Sequence, residues 1–261
     1  KFFYVLEKIF CLNEKAKDFP REFNAFHLYL VNFLKKNKLN LDNLYLAVPG
    51  EKDIDIFKDL CDKSILDKIN FIVSGSYKAN YIKQQNFNHK KPVYDITYIS
   101  QIMGNYLAGD SKDNFEKFIN DEAMEILNIL SKYVITKNLS CLILLRNFDN
   151  EKNLEKKLIL SYFENYNRIF FKSRHDVLSS YKNILDTKVV ISSHSQLTDE
   201  AMILDKKSFF IPLKTSKLYK YHPSKYNSFE DMWEWTLEEN DYVKFSNKMD
   251  DLLSKDQKKY L

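Results

Sequence analysis

The sequence is poor in the residue types that bend or cross-link a chain: among 261 residues there are four glycines, five prolines and three cysteines. Because so few glycines and prolines are available, we expect loops built mainly from Asn, Asp and Lys. The odd number and wide separation of Cys11, Cys61 and Cys141 exclude a disulfide framework and a metal-type spacing. All three lie in or beside apolar runs, which predicts reduced core thiols in a cytosolic protein.

Long apolar runs and a strong charge of one sign are also absent. No stretch approaches the ~20 apolar residues that a membrane-spanning helix needs. The net charge is only +4, and basic residues alternate with acidic ones, whereas nucleic-acid binders concentrate their basic charge. We therefore expect no nucleic-acid partner and a cytoplasmic location, with peripheral attachment to the inner membrane left open. The chain starts at Lys1 and not at Met, so a preceding segment is left open, as is the oligomeric state.

What the chain does contain is typical of a folded α/β protein. Hydrophobic residues make up 44% of the sequence and aromatic residues 15%, which is enough for a sizeable core. Short apolar runs alternate with helical patterns, which predicts parallel sheets. We expect two domains, an N-terminal α/β domain over residues 1–92 and a C-terminal domain over residues 93–261 that ends in a helical tail.

The expected strands are the runs rich in β-branched and aromatic residues. They are Phe2–Leu6, Leu44–Val48, Ile69–Val73, Tyr94–Ser100, Ser140–Leu145, Arg168–Phe171, Val189–Ile191 and Phe209–Ile211. Helices are expected from Phe23 onward, over residues 52–62, 77–85, 114–133 and 152–166, between Ser195 and Leu204, and in the tail from Phe229 to Leu261.

The most informative segment follows the strand at Val189–Ile191. That strand ends in the hydroxyl residues Ser192, Ser193 and Ser195, and a helix carrying Glu200 comes next. In parallel sheets, ligands bind beyond the carboxyl ends of the strands, where helix N-termini offer free backbone N–H groups. Hydroxyls at that position suit an anion or a sugar, and Glu200 can accept hydrogen bonds from a sugar hydroxyl. This pattern favours a nucleotide-sugar site.

Two other predicted strands end in cationic residues. One ends at Arg146, and the next ends in a run containing Lys172, Arg174 and His175. If the sheet is parallel, these residues meet the serines at one edge, where they suit a diphosphate or a CMP-linked acidic sugar. The alternative is that strand ends are polar because they meet solvent.

These residues carry a family resemblance. The order of Lys172-Ser173-Arg174-His175-Asp176, then Ser192-Ser193, then Glu200 resembles the C-terminal domain of GT-B glycosyltransferases, particularly bacterial enzymes of capsule and lipopolysaccharide synthesis. The segments Tyr94–Gln101 and Phe19–Phe23 are similar to the start of that domain and to the first loop of these enzymes. The resemblance implies two Rossmann-like halves. The second half would bind a nucleotide-sugar donor, and the first half a glycan or glycolipid acceptor.

The same resemblance implies transfer without a metal or another cofactor, because cationic side chains and helix N-termini neutralise the leaving group. An inverting enzyme also needs a base near the acceptor hydroxyl. Glu14, Asp18 and Glu22 lie in the loop after the first strand, and we choose Glu22 because Pro20 and Arg21 precede it directly before a helix. Alternatively, Glu22 only complements the dipole of that helix.

Other motifs give weaker indications. Asp53-Ile54-Asp55 fits an Asp-x-Asp metal site, but the pattern is frequent by chance and a hard cation needs several converging oxygens. Ser193 and Ser195 lack the Gly-x-Ser-x-Gly elbow of a hydrolase nucleophile. Three alternative functions remain: a sugar-nucleotide epimerase or hydrolase, a non-catalytic module of a polysaccharide-assembly complex, and, least favoured, a nucleic-acid binder.

Overall fold

The structure is a computed structural model. It describes residues 44–48, 51, 54, 67, 69–85, 91–109, 112, 114–146, 153–173, 178–193, 195–216 and 235–256. Its contacts divide the chain into two compact units, residues 1–77 and 78–261. The strand Phe2–Leu6, the helix from Phe23 and the proposed base Glu22 lie outside the described residues.

In the first unit, two strands are described. The strands β1 (Leu44–Val48) and β2 (Ile69–Val73) pair in parallel, with Leu44 opposite Ile69 and Val48 opposite Val73. Both strands agree with the sequence prediction, because their β-branched and aromatic residues favour extended backbone.

The second unit contains a five-stranded sheet. Its strands are β3 (Tyr94–Ile99), β4 (Cys141–Leu144), β5 (Ile169–Lys172), β6 (Thr187–Ser192) and β7 (Lys207–Phe210). They lie in the order β5-β4-β3-β6-β7, and every neighbouring pair is parallel. The chain adds strands first to one side of β3 and then to the other, so the strand order reverses between β3 and β6. This is the doubly wound arrangement, in which ligands bind at the point of reversal.

Seven helices are described in the resolved ranges. They are α1 (Tyr77–Gln84), α2 (Gly104–Ala108), α3 (Asn114–Thr136), α4 (Leu154–Tyr162), α5 (Ser179–Leu185), α6 (Gln196–Ile203) and α7 (Tyr242–Ser254). Among these described helices, none combines the length and the apolar character that crossing a bilayer demands.

Both faces of the sheet are covered, since successive side chains of a strand point to opposite faces. On one face, Tyr98 and Ile143 belong to a core that includes residues of α3, α4 and α7. On the other face, Leu142 and Val190 pack with residues of α1, α5 and α6. Each central strand is therefore buried on both sides, which explains why these strands are continuous apolar runs and not alternating ones.

The start of the second unit lies earlier along the chain than the domain boundary expected after residue 92. Helix α1 is the reason: its Ala79 and Ile82 are fully buried in the same core as Leu142 and Val190 of the five-stranded sheet. The helix therefore packs with the strands that follow it in sequence.

Asn and Asp take the place of glycine after several helices. Asn138, Asn165 and Asp205 have φ values of 51°, 61° and 58°, and they follow α3, α4 and α6. Left-handed backbone is tolerated by Asn and Asp better than by other side chains. The scarcity of glycine is thus compatible with sharp helix ends.

The helical tail is confirmed in part. Helix α7 covers Tyr242–Ser254, with Asp241 as its N-cap. The preceding residues 236–241 are not helical, because the Leu237 N–H donates to the Phe210 carbonyl and Thr236 forms a parallel bridge with Phe210. This stretch lies beside β7 and buries Trp235, so the expectation of a helix there is wrong.

Candidate functional site

The polar residues singled out in the sequence lie at the carboxyl edge of the five-stranded sheet. Strand β6 continues into Ser193, and β3 continues into Ser100 and Gln101. The Ser193 hydroxyl donates to Oε1 of Gln101 at 2.6 Å. Because β3 and β6 are the strands between which the order reverses, this bond joins the two loops that form the crevice of a doubly wound sheet.

The turn between β6 and α6 is held by its own hydroxyl groups. The hydroxyls of Ser192 and Thr198 lie 2.6 Å apart, and Ser192 Oγ accepts from the Ser195 N–H at 3.2 Å. Ser195 is the N-cap of α6, and its side chain accepts from the Leu197 N–H. A capped helix start with buried hydroxyls below it gives a rigid turn that directs the first N–H groups of α6 outward.

Glu200 lies below this turn and is buried. Its Oε2 accepts from the Tyr181 hydroxyl of α5 at 2.5 Å, and its Oε1 accepts from Gln196 Nε2 at 3.4 Å. The Glu200 carboxylate thus links α6 to α5. Whether it also contacts a ligand stays a prediction.

Asp199 is the ionisable neighbour of Glu200. Its side chain reaches solvent, yet the surrounding protein desolvates its carboxylate, which together with the negative charge of Glu200 raises the pKa of Asp199 to about 7. Near neutral pH, Asp199 therefore exchanges a proton readily.

The cationic residues lie on the other side of β3. Arg146 follows β4, Lys172 ends β5, and both side chains are exposed. The Arg146 N–H donates at 3.0 Å to Oε1 of Glu155, a buried residue in the first turn of α4. Neighbouring strands are ~4.8 Å apart, so the strand of Arg146 lies about 10 Å from that of Ser192 and the strand of Lys172 about 14 Å away.

Two further loops of the carboxyl edge are fixed by buried side chains of α3. Asn120 accepts from the Met103 N–H at 2.7 Å and donates to the Met103 carbonyl at 3.3 Å. Glu122 accepts from the Leu213 N–H in the segment after β7. The loops after β3, β4 and β7 are therefore held by buried side chains of α3 and α4.

The structure brings the predicted serines together in one turn and places Arg146 and Lys172 on neighbouring strand ends at the same edge. Arg174 and His175 lie outside the described residues, so their positions stay predictions, as does the role of every site residue. The described part of the chain contains no group of three His, Cys, Asp or Glu side chains that could hold a metal ion. The Asp53 and Asp55 carboxylates of the Asp-x-Asp pattern are outside it.

With this geometry in place, comparison with known proteins identifies the family. A family model described as "putative O-antigen biosynthesis protein" matches residues 27–259. The chain belongs to this family. The match confirms the predicted likeness to proteins that build bacterial surface carbohydrates. No curated protein sequence matches the chain significantly.

Two solved structures are similar at low identity. TarM is 18% identical with a TM-score of 0.49, and the match covers 88% of this chain and 39% of the TarM chain. Anabaena HepE, solved in complex with UDP and glucose, is 11% identical with a TM-score of 0.47, and the match covers 94% of this chain and 62% of the HepE chain. The chain therefore spans less than two thirds of either structure.

Several residues of the site were not predicted from the sequence. Gln101, Asn120 and Glu155 are buried or half-buried, and each forms a hydrogen bond with an atom of a loop. Nothing in the surrounding sequence distinguishes them from other polar residues of helices and loops. For Glu155, its place in the first turn of α4 is a signal of helix-dipole complementarity only.

Proposed function

We propose that this O-antigen biosynthesis protein is a glycosyltransferase that takes a sugar from a nucleotide-sugar donor. The donor binds at the carboxyl edge of the five-stranded sheet. The acceptor is a surface-polysaccharide or glycolipid precursor, and transfer needs no divalent cation. The two sheets correspond to the halves of a GT-B enzyme, and the protein works in the cytoplasm or at the inner membrane surface.

The observation that carries the proposal is the bridge between Ser193 and Gln101 at the reversal of strand order. It supports a nucleotide site because a crevice at this point, next to a capped helix start, is where doubly wound sheets bind nucleotides. Membership of a surface-carbohydrate family narrows the nucleotide to one that carries a sugar.

Charge supports transfer without a metal. The leaving nucleoside diphosphate or monophosphate gains negative charge in the transition state, and exposed Arg146 and Lys172 lie at the edge where it would leave. Arg174 and His175 follow Lys172 directly in the sequence, and we propose that they contribute to the same contact.

Glu22 remains our proposed base for the acceptor hydroxyl. Glu22→Gln is expected to keep donor affinity and lose turnover, because the amide cannot accept the proton. Near-normal turnover would overturn this assignment and leave Asp18 and Glu14 as candidates.

The test of the proposal is calorimetric titration with UDP, GDP and CMP, each with and without EDTA. We expect one nucleotide to bind with an affinity that EDTA does not change. Failure of all three to bind would refute the proposal and favour a non-catalytic module. Analysis of products without an acceptor separates a transferase from an epimerase or a hydrolase, since only the latter two turn over the donor without an acceptor: an epimerase to an equilibrium mixture of epimers, and a hydrolase to free sugar and nucleotide.

A further inference from the structure

Two buried polar atoms lack hydrogen-bond partners at the β4 and β5 side of the carboxyl edge. Asn153 is 8% exposed and Ser173 is 4% exposed. In the described structure, neither Asn153 Nδ2 nor Ser173 Oγ makes a hydrogen bond. Buried polar side chains are nearly always paired, since an unpaired one has lost its water without replacement. Each of these atoms therefore requires an explanation.

The orientation of Asn153 is fixed by its role as the N-cap of α4. Its Oδ1 accepts from the Lys156 N–H at 2.9 Å. Rotating the amide by half a turn would replace that acceptor with an NH₂ group, so the Nδ2 donor has to remain on the side away from the helix. Two residues further on, Glu155 accepts from the Arg146 N–H, which places this helix start against the end of β4.

Ser173 reaches the same region from β5. Phe171 packs against the core that includes α4, and Lys156 Nζ lies 5.4 Å from the centre of its ring. Ser173 comes two residues later, so its side chain lies on the same face of the strand, one step nearer the carboxyl edge. The Lys172 carbonyl accepts from the Leu145 N–H at 2.9 Å, so the ladder is intact up to this point. The start of α4 and the end of β5 thus place both unpaired atoms on one face of the sheet.

The chemistry of this pair favours a neutral hydroxyl over an anion. An amide NH₂ only donates, whereas a serine hydroxyl both donates and accepts, and a sugar hydroxyl can satisfy both. The carboxylate of Glu155 in the same helical turn disfavours a phosphate or a carboxylate at this place. Arg146 and Lys172 are exposed and remain available for the charged part of the ligand.

We infer that Asn153 and Ser173 each bind a hydroxyl group of a sugar. The inference rests on the proposed function and extends it, because it places a sugar subsite beside β4 and β5, away from the serine turn at β6. The hydroxyls belong either to the donor sugar or to the sugar of the acceptor, and the two sources share this chemistry.

The first measurement is the thermal unfolding of the ligand-free protein. Ser173→Ala removes an unpaired buried hydroxyl, so the melting temperature is expected to stay the same or to rise. Ser161→Ala is the matched control, since Ser161 lies in the exposed last turn of α4 and donates to the Leu158 carbonyl at 2.7 Å. A clear fall in melting temperature for Ser173→Ala alone would show that its hydroxyl has a structural partner and would overturn the inference.

The second measurement separates the sugar from the nucleotide. For whichever of UDP, GDP or CMP binds, the affinity of the free nucleotide is compared with those of its glucose, galactose and N-acetylglucosamine conjugates, or of CMP-linked sialic acid. Ser173→Ala and Asn153→Ser are each expected to weaken a conjugate by about threefold to tenfold and to leave the free nucleotide unchanged. Serine at position 153 keeps an acceptor for the helix cap and loses the Nδ2 donor.

The acceptor source has its own readout. Saturation-transfer NMR is recorded with the same free monosaccharides in the presence of saturating nucleotide. If the subsite holds an acceptor sugar, we expect the parent protein to give a saturation-transfer signal and both variants to lose it. A loss of conjugate affinity or of NMR signal in the variants supports the inference. If both readouts are unchanged in the variants, the inference is overturned. The proposed function still stands in that case, provided that the parent protein binds a nucleotide. If the parent protein binds no nucleotide and no conjugate, the proposed function and this inference both fail.

Discussion

The Ser193 hydroxyl donates to Gln101 across the gap between the loops that follow β6 and β3, at 2.6 Å. Ser193 is buried and Gln101 is half-buried, so this bond is partly shielded from solvent. It fixes the distance between the two loops that border the proposed nucleotide site. A side-chain bond across a crevice preorganises the crevice, because its walls need no rearrangement when a ligand binds.

The first prediction concerns this bridge. Ser193→Ala and Gln101→Ala should each lower the free energy of unfolding by about 0.5–1.5 kcal/mol and weaken nucleotide binding. The double variant should show less than the sum of the two losses, because both single changes break the same bond. Urea denaturation and calorimetry measure the two effects. Ser254→Ala, at an exposed position at the end of α7, is the control. Full additivity would contradict the prediction.

The second prediction concerns Tyr181 and Glu200. Tyr181→Phe removes a hydroxyl that donates to a buried carboxylate, so the free energy of unfolding should fall by about 1.5–3 kcal/mol. Tyr81→Phe, on the exposed face of α1, should change it little. The measurement is equilibrium denaturation in urea.

Glu200→Gln separates the structural role of Glu200 from its predicted role in sugar binding. The amide keeps an oxygen for the Tyr181 hydroxyl, so we expect a smaller loss of stability than for Tyr181→Phe, and a clear loss of donor affinity. Donor affinity equal to that of the parent protein would restrict Glu200 to its bond with Tyr181.

The strands and most helices of the second unit follow from local sequence signals, whereas the short helices α2 and α5 were not predicted. The apolar run before Ser192 and the hydroxyl cluster after it indicated the end of β6 and the start of α6, and Ser195 is the N-cap. Helix α4 is shorter than expected, because Asn153 caps its start and Asn165 adopts left-handed backbone soon after its end. Those two features depend on backbone angles that hydrophobic periodicity does not report.

The burial of several charged residues could not be predicted from the sequence. Glu122 and Glu155 are buried, and their carboxylates accept from backbone N–H groups of the loops after β7 and β4. Lys206 and Lys207, at the start of β7, are likewise buried. Their partners include carbonyls at the ends of two helices, and such pairings arise only when the tertiary fold brings these elements together.

The third prediction concerns pH and Asp95 at the amino edge of the sheet. Burial alone would raise its pKa, but hydrogen bonds from Lys188 and from the N–H and hydroxyl of Ser140 outweigh burial and lower it. Asp95→Asn should therefore cost about 1.5–3 kcal/mol of unfolding free energy at neutral pH. Because the pKa of Asp95 is lower in the native protein, its carboxylate stabilises the fold at pH values above the pKa of Asp in the unfolded chain, about 3.9. This stabilisation is lost as the pH falls through the native pKa.

The difference between parent and variant should accordingly shrink below about pH 4, which urea titrations at a series of pH values can follow. Asp121→Asn is the control, because the ion pair of Asp121 with Lys117 is exposed on α3 and contributes little. A difference that stays constant down to acidic pH would contradict the assigned role of the Asp95 carboxylate.

The fourth prediction concerns the consecutive residues Lys206 and Lys207, which bind helix ends on opposite faces of the sheet. Lys206 Nζ donates to the carbonyl of Leu185 at the end of α5 and to that of Thr187 at the start of β6. Lys207 Nζ donates to those of Leu252, at 2.8 Å, and Lys255 at the end of α7. The last carbonyls of a helix have no partner within the helix, and a cation there also complements its dipole.

Replacing either lysine with methionine keeps most of the buried aliphatic volume and removes these donors. Each variant should lose about 1.5–3 kcal/mol of stability, and hydrogen exchange should show where. Lys207→Met should accelerate exchange in the last turn of α7 and leave α5 unchanged, whereas Lys206→Met should do the reverse, so each variant controls for the other. Because the two side chains point to opposite faces of one strand, a uniform acceleration over both helices would mean that the lysines stabilise β7 as a whole and not the two helix ends separately.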